Sequence, residues 1–150
     1  MTVQGFKKFR TDFISELKKQ NNAVFLVNYP PINNNELFFW VTSLGTGIGS
    51  ELCHYEFVTD KKSNVIDLEV HFEFQTANDN FSCSRILQMN TLLSRQIRRC
   101  YPFSKNSLQV GIKYKSLDPS SNTIKDDALY YLTELDRQFR KKFPKILKKL

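Results

Sequence analysis

The chain has 150 residues, 41% of them hydrophobic and 25% charged, with 13 phenylalanines; that is enough apolar material for one domain with its own core, and it excludes a disordered chain. Three cysteines, Cys53, Cys83 and Cys100, without a CxxC pair exclude a disulfide framework or a cysteine-based zinc site and suit a reducing compartment. The formal charge of +7 is uneven: residues 1–22 carry five positive and two negative side chains, residues 23–82 two and eight, residues 83–150 fifteen and five, so an acidic middle lies between basic ends.

Residues 3–20 place Val3, Phe6, Phe9, Phe13, Ile14 and Leu17 at helical spacing, with Lys7, Lys8, Lys18 and Lys19 elsewhere, which predicts an amphipathic helix. The charges in "MTVQGFKKFRTDF" stand where a secretory signal needs an apolar run. No stretch of the chain approaches the roughly 18 apolar residues of a membrane span, so a cytoplasmic protein is expected. "AVFLVNY" (23–29) and "ELFFWVTSL" (36–44) read as strands separated by a proline–asparagine break, the second aromatic on both faces and therefore central. "GTGIGS" (45–50) lacks the GK[ST] of a phosphate loop and leads into a strand, which makes it a hairpin turn or bulge.

"ELCHYEFVTD" and "NVIDLEVHFEF" follow as two strands with a tight turn over Lys61–Asn64. Period-two alternation puts Cys53, Tyr55 and Phe57 on one side of the first and Ile66, Leu68, Val70, Phe72 and Phe74 on one side of the second. His54, Glu56, Asp67, Glu69 and His71 then share the opposite side. A helix is expected at about 79–100, with Ile86, Met89, Leu93 and Ile97 inward and Arg95, Arg98 and Arg99 on the opposing side. "SLQVGIKYKSL" (107–117) is a strand with Leu108, Val110, Ile112 and Tyr114 inward and Gln109, Lys113 and Lys115 outward. Asn122 or Thr123 caps a last helix lined by Ala128, Leu132, Leu135, Phe139 and Phe143, with Asp126 and Asp127 at its positive end. Pro144 interrupts it. The order α-β-β-β-β-α-β-α describes a single α+β domain over residues 1–150: a mainly antiparallel sheet of four to five strands with three helices packed largely on one face.

The acidic–histidine face is the most informative pattern. Both strands must present apolar residues to the same side, and a turn over Lys61–Asn64 pairs Asp60 with Val65. That register sets Tyr55 opposite Val70, Phe57 opposite Leu68, Glu56 opposite Glu69 and His54 opposite His71, the only two histidines of the chain. Directly opposed Cβ atoms lie about 4.5–5.5 Å apart, near enough for side chains to share a divalent ion. Imidazole with carboxylates suits Zn or Mn, and carboxylates alone suit Mg. The plainer expectation is the solvated side of a half-buried antiparallel sheet. A Cys–His nucleophile is disfavoured, since Cys53 points to the apolar side of the strand that carries His54.

The basic ends pose a parallel question. Arg95, Arg98 and Arg99, and in the last helix Arg137, Arg140, Lys141 and Lys145 interleaved with Phe139 and Phe143, suit phosphate contacts. They equally suit a solvated helix face or an anionic membrane surface.

The order helix, strand meander, helix, strand, with "LEVH" on the strand before the second helix, resembles the restriction-endonuclease-like PD-(D/E)xK core. In that resemblance Glu69 takes the place of the second acid, His71 that of the lysine, and Asp67 or Glu56 that of the first acid. It implies a divalent-metal nuclease, degenerate in that histidine replaces the lysine that helps activate water. "GTGIGSELCHYEF", "VIDLEVHFE" and the closing "FPKIL" are similar to an uncharacterised domain found with restriction-modification and nuclease-like proteins. The matching positions are Tyr55, Glu56 and Phe57, and Leu68, Glu69 and Val70; that similarity implies a defence or mobile-DNA setting.

The leading expectation is a small cytoplasmic nucleic-acid-associated accessory domain of a DNA-processing or defence system, contacting phosphates through its basic helices. No cofactor is expected for that role; the alternatives are a metal-dependent nuclease using Glu56, Asp67, Glu69 and His71, for which Mg or Mn is the candidate metal, and a protein-interaction module that docks a partner on its acidic sheet face.

Overall fold

The computed structural model describes residues 1–22, 24–28, 37–43, 53–74, 97–104 and 107–142. Among the described residues two helices, α1 (Val3–Lys19) and α2 (Ile124–Lys142), flank six strands: β1 (Phe25–Asn28), β2 (Leu37–Ser43), β3 (Cys53–Thr59), β4 (Ile66–Phe74), β5 (Ile97–Ser104) and β6 (Ser107–Leu117). They form one antiparallel sheet in the order β1-β2-β3-β4-β6-β5. The α+β class therefore holds. Among the described residues no helix is long and apolar enough to cross a membrane.

Helix α1 starts where Thr2 accepts a hydrogen bond on its side chain from the Gly5 amide at 3.0 Å, which satisfies one of the open donors of the first turn. Its stripe buries Phe6, Phe9, Phe13 and Leu17. Phe13 lies 5.8 Å from Phe39 of β2 and 5.1 Å from Phe57 of β3, ring centre to ring centre. Helix α2 adds Ala128, Leu129, Leu132, Leu135 and Phe139 to the same core, together with Tyr55, Ile66, Leu68, Val70 and Ile112 from the sheet. Both helices thus cover one face of the sheet. Within this core the Tyr55 hydroxyl donates to Asp136 Oδ1 at 2.7 Å, tying the middle of the sheet to α2.

The β3–β4 hairpin has the expected register, with His54 opposite His71, Tyr55 opposite Val70, Glu56 opposite Glu69 and Phe57 opposite Leu68. Its turn is closed by Asp60, whose carboxylate accepts from the amides of Lys62 and Ser63 at 2.8 and 2.6 Å, the local bonding that favours Asp at turn starts.

Three expectations need correction. Residues 97–100 are not the end of a helix: Ile97–Ser104 is β5, paired with β6. The apolar spacing that ends at Ile97 is helical, but "IRRCYPFS" is also good strand material, and pairing with the long β6 settles its state. Strand β5 is an edge, which is where Pro102 is tolerated in a sheet. Among the described residues the sheet therefore has six strands rather than four to five, and Arg98 and Arg99 sit on a strand, not on a helical stripe. Lys115, expected outward, is half-buried with its Nζ 4.6 Å from the centre of the Tyr131 ring of α2, because a β-bulge displaces the register of β6. The acidic–histidine side of β3 and β4, expected to be solvated, is buried. Residues 79–96 of the expected middle helix, the glycine cluster at 45–50, Phe143 and Pro144 lie outside the described residues.

Candidate metal centre

Strand alternation carries His54 and Glu56 of β3 and Asp67, Glu69 and His71 of β4 to the sheet face opposite the two helices. That face is not solvated. His54, Glu56, Asp67, Glu69 and His71 are 1%, 5%, 3%, 0% and 3% exposed, which overturns the expectation of a wet strand surface. Burial changes the physics: carboxylates and imidazoles at this depth need partners or an ion, since stripping them of water is costly.

The side chains converge. Glu56 Oε2 lies 3.4 Å from His54 Nε2 and 3.6 Å from His71 Nδ1, and one donor atom from each of His54, Glu56 and His71 falls within 4.8 Å of the others. Bonds of about 2.0–2.2 Å at tetrahedral angles place neighbouring donors about 3.3–3.6 Å apart, so two of the three separations already have coordination spacing. Glu69 Oε1 sits 3.8 Å from the same His71 nitrogen.

Ring stacking holds the imidazoles in place. His54 stacks on His71 with centroids 5.0 Å apart and planes 10° from parallel, and Trp40 of β2 stacks on the far side of His54 at 4.9 Å and 23°. Trp40 faces Glu56 across the β2–β3 pair, so the indole follows from the register of a third strand. Neither ring nitrogen of His54 makes a hydrogen bond with a described residue. A buried imidazole in that state is unusual unless an ion or water completes it.

Of the residues singled out as ligands, the structure gathers His54, Glu56 and His71 and sets Glu69 beside them. Asp67 is separated from them by its own partner, accepting at Oδ1 from the Ser116 hydroxyl at 2.6 Å. Trp40, and Gly111 of β6, which faces His71 and where an added Cβ would lie 2.9 Å from Glu69 Oε1, belong to the surroundings of the centre and carried no sequence signal of that role; Trp40 was legible only as a strand aromatic.

The basic residues are more dispersed. Arg137 is exposed on α2 and gives a two-point contact to Glu134, Nη2 to Oε2 at 2.8 Å and Nε to Oε1 at 3.3 Å. Those bonds hold the Glu134 carboxyl below its ordinary range and raise the guanidinium. Lys141 is exposed on the same helix. Arg140 lies in α2 and Arg98 and Arg99 in β5, with their side chains outside the described residues, as are Arg95 and Lys145 altogether.

Comparison with known protein families, with curated proteins and with solved structures finds no match for this chain.

Proposed function

We propose that this protein is a divalent transition-metal-binding domain whose ion is held by His54, Glu56 and His71. The single observation that carries this reading is the position of Glu56 Oε2 between two buried imidazole nitrogens, 3.4 and 3.6 Å away. Nitrogen donors with carboxylate oxygen suit Zn or Mn better than Mg, which favours an all-oxygen shell. Calorimetric titration of the chelator-treated chain with Zn and Mn tests it. The expected result is one ion per chain, lost in His54→Ala and in His71→Ala; absence of binding to the parent chain would end the reading.

A nucleic-acid role is proposed beside it on a separate observation, the +7 charge together with the exposed Arg137 and Lys141 of α2. In this reading basic side chains contact phosphates without reading sequence, and the metal centre serves either the domain itself or cleavage of the bound strand, as the PD-(D/E)xK resemblance implies. Cleavage would use a metal-activated water with Glu69 and His71 beside it. Labelled duplex DNA titrated across a salt series, with and without Mn, separates the cases. Affinity that falls steeply with salt supports phosphate contact, Mn-dependent cuts lost in Glu69→Ala support a nuclease, and no binding at low salt removes the nucleic-acid role. Docking a protein on the acidic sheet face has less support, because Glu56, Asp67 and Glu69 are buried.

A further inference from the structure

We infer that Trp40 sets the metal affinity of this centre by holding His54 in a ring stack that the ion must open in order to bind. The inference rests on the metal reading above and names what the ion works against.

Strand β2 alternates strictly. Leu37, Phe39 and Val41 are buried in the core under the helices, and Phe38 and Trp40 lie half-buried on the other side of the sheet. Trp40 is directly opposite Glu56, so its indole reaches diagonally along β3 to His54, a span that aromatic side chains cover. The result is one row of four rings across three strands. Phe38 and Trp40 are 6.4 Å apart at 17°, Trp40 and His54 4.9 Å at 23°, and His54 and His71 5.0 Å at 10°. A metal-bound histidine is ordinarily oriented by a hydrogen bond from its second ring nitrogen. Neither nitrogen of His54 makes one with a described residue, so among those residues its ring plane is set by Trp40 and His71.

That plane suits packing better than coordination. An imidazole lone pair lies in the plane of its ring, so two rings stacked 10° from parallel direct their lone pairs along nearly parallel lines. A tetrahedral ion needs them to meet at one point. Glu56 Oε2 already stands at coordination spacing from both nitrogens, 3.4 and 3.6 Å away. What binding must change is therefore the direction of the imidazoles. His71 is steadied by a second carboxylate, with Glu69 Oε1 3.8 Å from its Nδ1; His54 has the stack. His54 is thus the ring that turns, and turning costs it contact with the indole. An aromatic pair contributes enough to change a binding constant roughly 2- to 10-fold, and Trp40 lowers the affinity by that factor.

The test compares the full-length parent with Trp40→Leu and Trp40→Phe, each checked for native secondary structure by circular dichroism and titrated calorimetrically with Zn and with Mn. Trp40→Leu fills the position without a flat face and is expected to bind the ion roughly 2- to 10-fold more tightly than the parent. Trp40→Phe, with a smaller ring, should fall between, and it carries the comparison if the leucine variant does not fold. A residue that merely supports the fold would weaken binding when replaced, so the sign separates the two roles. Trp40 is also the chain's only tryptophan, and the parent's own emission reports the stack. Zn, which has no redox chemistry, should change that emission in step with binding, up to one ion per chain. Variants that bind as the parent does or more weakly, or parent emission that stays fixed while calorimetry records bound Zn, overturn the role of Trp40 and leave the three-donor site standing. A parent chain that binds neither ion overturns both.

Discussion

At the scale of single residues, buried polar groups give the clearest expectations. The Tyr55 hydroxyl is one donor to Asp136 inside the core, at 2.7 Å, and hydrogen bonds to charged groups contribute about 1.5–3 kcal/mol. Tyr55→Phe should lower stability by about that amount in urea unfolding, with the slope of the transition unchanged; a loss near zero would show that Asp136 does not depend on this donor. Glu16 supplies a pH dependence. Its carboxyl is held below the ordinary range first by the hydrogen bond from Gln20 Nε2 at 3.0 Å, with burial opposing and the charges of Lys19 and Lys125 assisting. Because the folded-state value lies below the unfolded one, this contribution is complete above the unfolded pKa. It is lost as pH falls through the folded value. Gln20→Ala should move the Glu16 carboxyl titration upward in NMR and shrink the acid-side loss of stability; an unmoved midpoint would assign the shift to the lysines instead.

Elements differ in how far local sequence specifies them. Helix α1 and the β3–β4 hairpin were legible because each has a strong period, 3.6 in one and 2 in the other, and because Asp60 and the polar turn leave one register that keeps Tyr55, Phe57, Leu68 and Val70 together. The pairing of His54 with His71 followed from that register alone. Strand β5 was not legible: Ile97 continues a helical spacing, and only the long β6 beside it supplies the backbone partners that make 97–104 a strand. The bulge at Leu68/Glu69 was equally hidden, since alternation along 107–117 continues through it until Lys115. Helix α1 contributes Phe13, fully buried against Phe9, Phe39 and Phe57. Phe13→Ala should cost about 3–5 kcal/mol, the range for deleting a buried ring, measured by denaturant unfolding. A cost below about 1 kcal/mol would mean that the cluster collapses into the space.

On the scale of the whole molecule, the candidate centre draws on β3 and β4, with β2 and β6 walling it through Trp40 and Gly111, so four adjacent strands of the six-stranded sheet meet there. An ion bound only when those strands are assembled stabilises the fold by mass action, about 2.7 kcal/mol at a free concentration 100 times Kd. For a chain of this length that corresponds to a rise in Tm of roughly 5–10 °C. Zn added to the chelator-treated protein should produce such a rise in calorimetry, and His71→Ala should abolish it. A parent protein whose Tm ignores the ion would separate the cluster from stability.

The sequence by itself determined the α+β class, the helical stripe of α1 and the side-chain register of β3 against β4, because each is set by the spacing of apolar residues over a few turns or one hairpin. Only the tertiary structure decided that the acidic–histidine face is buried, that residues 97–104 are a strand and that Glu69 rests on Gly111. Those outcomes depend on which distant strands become neighbours and on where one extra residue enters the ladder, and neither is encoded in local periodicity.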